Sequence, residues 1–150
     1  MKQLILTAAA VAAILATAAL AAPADTIRMR QANYKQIAAA MKGINEQLRS
    51  DTPSLPAIRA GTRTIVGFAP QVLRWFPRGT GPEAGVRTRA RPEIWSDHAG
   101  FRSAGARLLV AARALDAAAR GGDLAAIRAA APELAHACSN CHDDYRAPEH

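Results

Sequence analysis

The sequence lacks several features that mark common architectures. Strand-like alternation of apolar and polar residues is absent, and after the N-terminal segment there is neither an internal repeat nor a low-complexity tract. Only two cysteines are present, Cys138 and Cys141, so the second cysteine pair of a typical zinc module is missing. These absences leave an all-α domain as the expectation, and 150 residues are enough for one such domain with a core.

Long apolar runs are confined to the N-terminus. The first residues carry the positive Lys2, continue as an uncharged apolar run and end in a small-x-small cleavage sequence. This order predicts a signal peptide over residues 1–21 and a mature domain over residues 22–150, with cleavage after Ala24 as a second option and a retained membrane anchor as the alternative. We therefore expect an exported, periplasmic protein with no membrane segment after signal removal.

A dense basic cluster is also missing, although the formal net charge is +7. Scattered basic residues are typical of a solvated surface with a bias toward acidic partners. Export argues further against DNA or RNA. The composition therefore favours an acidic protein partner over a nucleic acid.

Apolar residues recur at spacings of three and four, which places them on one face of a helix. Glycine and proline separate the segments that show this spacing, Asp123 stands where an N-cap is expected, and Pro132 is expected to kink the last segment. The sequence therefore predicts an antiparallel four-helix bundle. Its helices are expected over about 25–48, about 55–76, about 92 to before Gly121, and about 123–145.

The last predicted helix contains the motif Cys138-Ser139-Asn140-Cys141-His142, the C-x-x-C-H signature of c-type haem attachment. On a helix, Cys138 and Cys141 lie one turn apart on one face, so their sulfurs can bond the two vinyl groups on one porphyrin edge. The imidazole of His142 can then reach the iron. The motif predicts one covalently attached haem c with His142 as the iron ligand.

Two other interpretations of the cysteines remain. A disulfide accounts for both cysteines but not for His142, and export favours haem because c-type haem is attached outside the cytoplasm. A zinc site requires four ligands, and the other histidines, His98, His136 and His150, are not placed as an obvious complement.

Four stretches of the chain together carry a family resemblance. They are Arg30-Gln31-Ala32, Trp75 to Thr80, Ala90 to Asp97, and Cys138 to Arg146. Over nearly the whole mature chain the sequence resembles the class II cytochromes c, specifically cytochrome c prime. The resemblance implies an exported four-helix bundle with its haem motif near the C-terminus.

The resemblance also implies roles for three further residues. Arg30 matches an arginine that lies near the haem propionates, and Tyr34 stands where low-spin relatives carry a methionine that faces the iron. Met29 and Met41 are not well placed to replace that methionine, so we expect a five-coordinate iron covered by Tyr34. Arg146, expected one helical turn after His142, matches an arginine on the side of that iron ligand.

A five-coordinate iron predicts binding of small gases, nitric oxide and carbon monoxide, with nitric oxide buffering or sensing as the implied role. The alternative is a soluble electron-transfer cytochrome, which a methionine at position 34 would have favoured. We do not expect an enzyme such as a peroxidase, because no histidine lies near Tyr34 on the first helix. The resemblance further implies a homodimer formed through the first two helices.

Covalent attachment can be tested directly by replacing both Cys138 and Cys141 with Ala. Because thioether bonds survive unfolding whereas axial ligation does not, we expect the wild type to keep its haem through denaturation and the double variant to lose it. Absorbance of the denatured, gel-filtered protein measures this. Haem that stays bound to the denatured double variant would contradict the attachment.

Overall fold

The computed structural model describes the backbone of residues 2–148 and the side chains of residues 23–148. The helices are α1 (Lys2–Arg49), α2 (Leu55–Phe68), α3 (Glu93–Ser96), α4 (His98–Gly121) and α5 (Leu124–Tyr145), with 3₁₀ turns at Ala69–Trp75 and Pro82–Ala84. The long helices α1, α2, α4 and α5 form an antiparallel four-helix bundle. The predicted all-α fold class is thus confirmed.

The N-terminal end of α1 differs from the expectation. We expected the helix to begin near Asp25, but α1 runs through Pro23 without interruption. The side chains of residues 1–22 lie outside the described residues, so the signal peptide over residues 1–21 stays a prediction. Within the described part, no helix combines the length and apolar character needed to span a bilayer.

Two clusters of buried side chains form the interior. The large core fills the bundle between the long helices, and its biggest members are Ile37, Ile44, Ile58, Ile65, Val72, Trp75, Leu115, Ile127 and Leu134. The small core lies at the end of the bundle that holds α3 and consists of Ile94, Phe101, Ala104 and Tyr145. Burial of these apolar surfaces is the main force that holds the helices together.

Two of the predicted helices have different limits in the structure. The α-helix that we expected to reach Phe76 ends at Phe68, and the chain continues as a 3₁₀ turn that has Pro70 in its first positions. The third predicted helix is broken at Asp97, whose backbone angles of −105° and 67° are not helical. The Asp97 carboxylate accepts a hydrogen bond from the Gly100 N–H at 2.9 Å and so caps α4.

The connection between α4 and α5 follows the prediction. Gly122 ends α4 in the left-handed conformation with φ +81°, and the Asp123 side chain accepts from the Ala125 N–H at 2.8 Å to cap α5. Pro132 lies inside α5 without ending it. A turn of this kind holds α4 and α5 as close antiparallel neighbours.

The bundle is closed more tightly on three sides than on the fourth. Helix α1 packs along α2, α2 packs along α4, and α4 packs along α5, whereas α1 and α5 have few close backbone approaches. Because α5 carries the C-x-x-C-H motif, the looser seam runs beside that motif.

Gly100 allows the close approach of three elements at the small core. A methyl group at this position would collide with the Asp97 carboxylate and the Tyr145 hydroxyl. We therefore expect Gly100→Ala to lower the free energy of unfolding by about 1–3 kcal/mol, as overpacking does. Urea unfolding measures the change.

The matched control is Gly43→Ala in α1, where an added methyl group meets nothing within 4 Å. Here we expect a gain of about 0.5–1 kcal/mol, because alanine is the better helix former. Equal effects of the two substitutions would show that the crowding at Gly100 is unimportant.

Candidate haem site

The two cysteines lie where the two cores meet. Both are free thiols and partly buried, and Cys138 packs against the large core while Cys141 packs against the small core. Burial raises the pKa of the Cys138 thiol and raises the pKa of Cys141 to about 11. Both side chains are therefore neutral thiols near neutral pH, aligned on one face of α5.

His142 follows Cys141 and is also partly buried. Its pKa is lowered, first by burial and then by the positive charge of Arg146. The imidazole is consequently neutral near pH 7 and offers a nitrogen lone pair, which is the form that binds iron. Two adjacent thiols and a neutral imidazole are the donor set that haem c requires, so the residues present fit this group.

Tyr34 lies on α1 and faces the same space from the opposite side. Its ring meets Trp75 edge to face, with ring centroids 5.2 Å apart, and tilts against Phe76 at 6.3 Å. Burial raises the pKa of the phenol, and the charge that Cys141 carries when ionised raises it further. Tyr34 and the cysteines therefore lie within electrostatic range of each other, while the expected position of Tyr34 over the iron stays a prediction.

Arg30 is one turn before Tyr34, and its side chain is only 2 % exposed. Its guanidinium donates to the Thr80 carbonyl at 2.7 Å, to the Thr80 hydroxyl at 3.0 Å and to the Thr88 hydroxyl at 2.8 Å. It also lies 4.5 Å from the centre of the Phe76 ring, and its burial lowers its pKa. Arg30 therefore anchors the segment 76–88 to α1, while its expected closeness to haem propionates stays a prediction.

Phe76 is the residue that sequence reasoning missed. Besides Arg30 and Tyr34, its ring contacts Trp95 at 6.2 Å and Phe101 at 5.2 Å between centroids. It therefore joins α1, α3 and α4 beside the site. The apolar spacing of the second predicted helix marked Phe76 as inward-facing, and the family resemblance included it in the stretch from Trp75 to Thr80. Because the α-helix ends at Phe68, that spacing could not show which helices its ring contacts.

Arg146 differs from the expectation in its backbone. We placed it one helical turn after His142, but α5 ends at Tyr145 and Arg146 is extended and exposed. The residue forms an isolated antiparallel bridge with Ala90, so the end of the chain pairs with the segment before α3. Its positive charge still lowers the pKa of His142, and its role beside that residue stays a prediction.

Tyr145 connects the end of α5 to the start of α4. Its hydroxyl donates to the Asp97 carboxylate at 2.7 Å, and its ring packs against Phe101 with centroids 5.2 Å apart. Burial and the neighbouring Asp97 raise the pKa of Tyr145 to about 12, while this bond and the Gly100 N–H lower the pKa of Asp97. This hydrogen bond fixes the end of α5 that carries His142.

No group of three or more His, Cys, Asp or Glu side chains within residues 23–148 is arranged to hold a metal ion by itself. His98 and His136 are exposed, and His150 lies outside the described residues. The zinc interpretation therefore finds no set of ligands in the described part of the chain.

A four-helix bundle with C-x-x-C-H at the end of its last helix defines a class of c-type haem proteins. The family described as Cytochrome C' matches residues 25–146. Cytochrome c' of Rubrivivax gelatinosus is 34% identical over 125 residues, which cover 83% of this chain and 95% of that protein. The chain belongs to the cytochrome c' family, which implies a c-type haem with iron.

Solved structures agree with this assignment. The chain is similar to cytochrome c' from Thermochromatium tepidum, with a TM-score of 0.79 and 30% identity over 84% of this chain and 97% of the other. A ferrous variant of cytochrome c prime from Alcaligenes xylosoxidans with bound NO has a TM-score of 0.75 and 28% identity, covering 85% and 97%. Another similar cytochrome c' shows ligand-controlled dimer dissociation, with a TM-score of 0.78 and 26% identity over 84% and 97%.

The anchoring role of Arg30 can be measured with Arg30→Met. This change keeps much of the apolar stem but removes the donor to the buried carbonyl and hydroxyl oxygens of Thr80, and one of the two donors to the Thr88 hydroxyl. We expect the free energy of unfolding to fall by about 2–4 kcal/mol, since unsatisfied buried acceptors cost about 1–3 kcal/mol each. Urea unfolding followed by circular dichroism gives the value.

Arg28→Met is the control, because Arg28 is an exposed arginine on the same helix and pairs with Asp25 at the surface. Its loss should change the free energy of unfolding by less than about 0.5 kcal/mol. If both variants lose equally little, Arg30 does not anchor the segment 76–88.

Proposed function

We propose that this chain is an exported haem protein without enzymatic activity that binds nitric oxide and carbon monoxide at an open iron site, and that it buffers nitric oxide. One haem c is bonded to Cys138 and Cys141, with His142 as the iron ligand and Arg146 beside it. The observation that carries the proposal is the side chain that faces the cysteines from α1, which is Tyr34 and not a methionine.

His142 supplies the fixed side of the site. The Tyr145–Asp97 hydrogen bond and the pairing of Arg146 with Ala90 hold the end of α5, so the imidazole is positioned before any ligand arrives. The low pKa of His142 keeps the ring in its neutral form. When haem is bound, its iron supplies the position at which a diatomic gas is held.

Tyr34 supplies the cover on the other side. Its raised pKa keeps the phenol protonated at pH values where the cell operates, and a neutral phenol is a poor iron ligand compared with a phenolate. The ring is wedged against Trp75 and Phe76, which makes the cover apolar and aromatic. A neutral gas enters such a site without cost, whereas an anion loses its hydration.

Neither Met29 nor Met41, the two methionines among the residues with described side chains, is placed to bind the iron beside Tyr34. Met29 is 42% exposed, and its sulfur accepts a hydrogen bond from Asn33. Met41 lies two turns beyond Tyr34, against the large core. The complex of NO with the Alcaligenes xylosoxidans protein supports the same ligand for this chain.

Electron transfer is the second candidate, and the charges beside Cys141 favour it. Arg107 and Arg146 lie close enough to lower the pKa of that thiol, and Arg89 and Arg146 act in the same direction on His142. Asp144 and Asp143 oppose these effects, so three arginines stand against two aspartates at this surface. A cationic surface at the attachment site suits an acidic redox partner.

Export and dimerisation complete the proposal. Residues 1–21 are the expected signal peptide for the periplasm. A homodimer through α1 and α2 would place the exposed Ala38, Ala39 and Ala57 at a close helix contact. The ligand-controlled dimer dissociation of a similar cytochrome c' supports a dimer, though not a particular interface.

Replacing Tyr34 with Met tests the open site. The thioether would reach toward the iron, so we expect a low-spin, six-coordinate spectrum and carbon monoxide affinity at least tenfold weaker, about 1.4 kcal/mol. Absorption spectra of the oxidised and reduced holoprotein, with and without gas, measure both effects.

Tyr34→Phe is the matched control, because it keeps the aromatic cover and removes only the hydroxyl. We expect its spectrum to stay five-coordinate and high-spin. A wild-type protein that is already low-spin in both oxidation states would overturn the open-site proposal and favour electron transfer.

A further inference from the structure

The loose seam between α1 and α5 contains an open cleft with a volume of about 230 Å³. Its walls come only from these two helices. The lining residues are Met41, Asn45, Leu48, Arg128, Ala131, Pro132 and Ala135.

This cleft adjoins the candidate haem site. On α5, Ala135 is one turn before Cys138, and on α1, Met41 is two turns after Tyr34 on the same face. Met41 and Cys138 both pack against the large core. The cleft therefore lies within two helical turns of Tyr34 and Cys138, toward the other end of the bundle.

The lining suits a small neutral molecule. Most of the lining side chains are apolar, and Ala131 and Ala135 present only methyl groups. Pockets that hold drug-sized ligands have volumes of about 300–1,000 Å³, so this cleft is too small for a large organic ligand or a peptide. Apolar spaces of this scale accept gases such as xenon.

Met41 can act as the movable part of the wall. Its unbranched thioether has several low-energy rotamers, so it can swing aside while the rigid alanines opposite it stay in place. It is partly buried, between the cleft and the large core.

We propose that this cleft is the route by which a diatomic gas reaches and leaves the iron, with a transient docking position beside Met41. The inference rests on the proposed function, since it concerns the access path to the same open site. The gas enters between α1 and α5, passes Met41 and Ala135, and arrives at Tyr34.

A narrower route should slow both the entry and the exit of the gas without changing its binding equilibrium. In the holoprotein, Ala135→Leu is expected to lower both the association and the dissociation rate constants of carbon monoxide by about tenfold, which corresponds to a barrier increase of about 1.4 kcal/mol, with Kd unchanged. Met41→Ala is expected to raise both rate constants together. Flash photolysis and stopped-flow absorbance supply the rates.

The control for the narrowing variant is Ala129→Leu, the same substitution at an exposed position on α5 outside the cleft. It should leave both rate constants at the wild-type values. Unchanged rates in Ala135→Leu would overturn the route, and so would a changed Kd, because that would place the effect at the iron. A shift in oligomeric state with unchanged rates would assign the cleft to a contact between copies.

A second readout does not depend on the iron ligand. Under xenon pressure, the methyl resonance of Met41 should shift saturably, while that of the surface residue Met29 serves as an internal reference and stays constant. Equal shifts at both methyls would contradict a docking position in the cleft.

The failure of the proposed function and the failure of this inference give different results. If the wild-type protein binds no carbon monoxide at all, the proposed function is wrong. If it binds the gas, but the substitutions leave the rate constants unchanged and xenon does not bind, only the inference about the cleft is wrong.

Discussion

The buried guanidinium of Arg30 joins α1 to the long connection that precedes α3. Its hydrogen bonds to Thr80 and Thr88 hold the long connection 76–88 against α1, and its cationic plane lies over Phe76. A buried charge of this kind is stable only when its donors are satisfied, so the connection must keep this conformation. Trp75 and Phe76 form an aromatic wall beside Tyr34, and the position of Phe76 in it therefore depends on the hydrogen bonds of Arg30.

Cys138 and Cys141 lie on either side of the boundary between the large core and the small core. Cys138 belongs to the edge of the large core and Cys141 to the edge of the small core. A group bonded to both thiols would lie at the junction of the two, beside the seam where α1 and α5 separate. Tight packing of the other helix pairs lets the bundle remain stable with one side open, since burial elsewhere supplies most of the stabilisation.

Sequence reasoning recovered what is local and periodic. Helical spacing located the inward faces that contain Tyr34 and Cys138, and Asp123 was recognised as a cap because a single residue determines that chemistry. It failed where distant segments decide the structure. Asp97, at which the third predicted helix breaks, also accepts a hydrogen bond from Tyr145, 48 residues away, and the extended Arg146 pairs with Ala90. Contacts between segments that are distant in the chain leave no periodic pattern in the sequence.

The neutral state of Tyr34 follows from burial and does not depend on free thiols. Burial is the largest cause of its raised pKa, ahead of the charges of Cys141 and Cys138, while Arg30 acts in the opposite direction. Conversion of both thiols to thioethers would remove the charge that each carries when ionised but would leave the burial. The phenol would then still lose its proton less readily than a free tyrosine, provided that the aromatic wall keeps water away. Arg30 thus has two opposing effects, because its charge favours ionisation of Tyr34 while the segment that it anchors buries the ring.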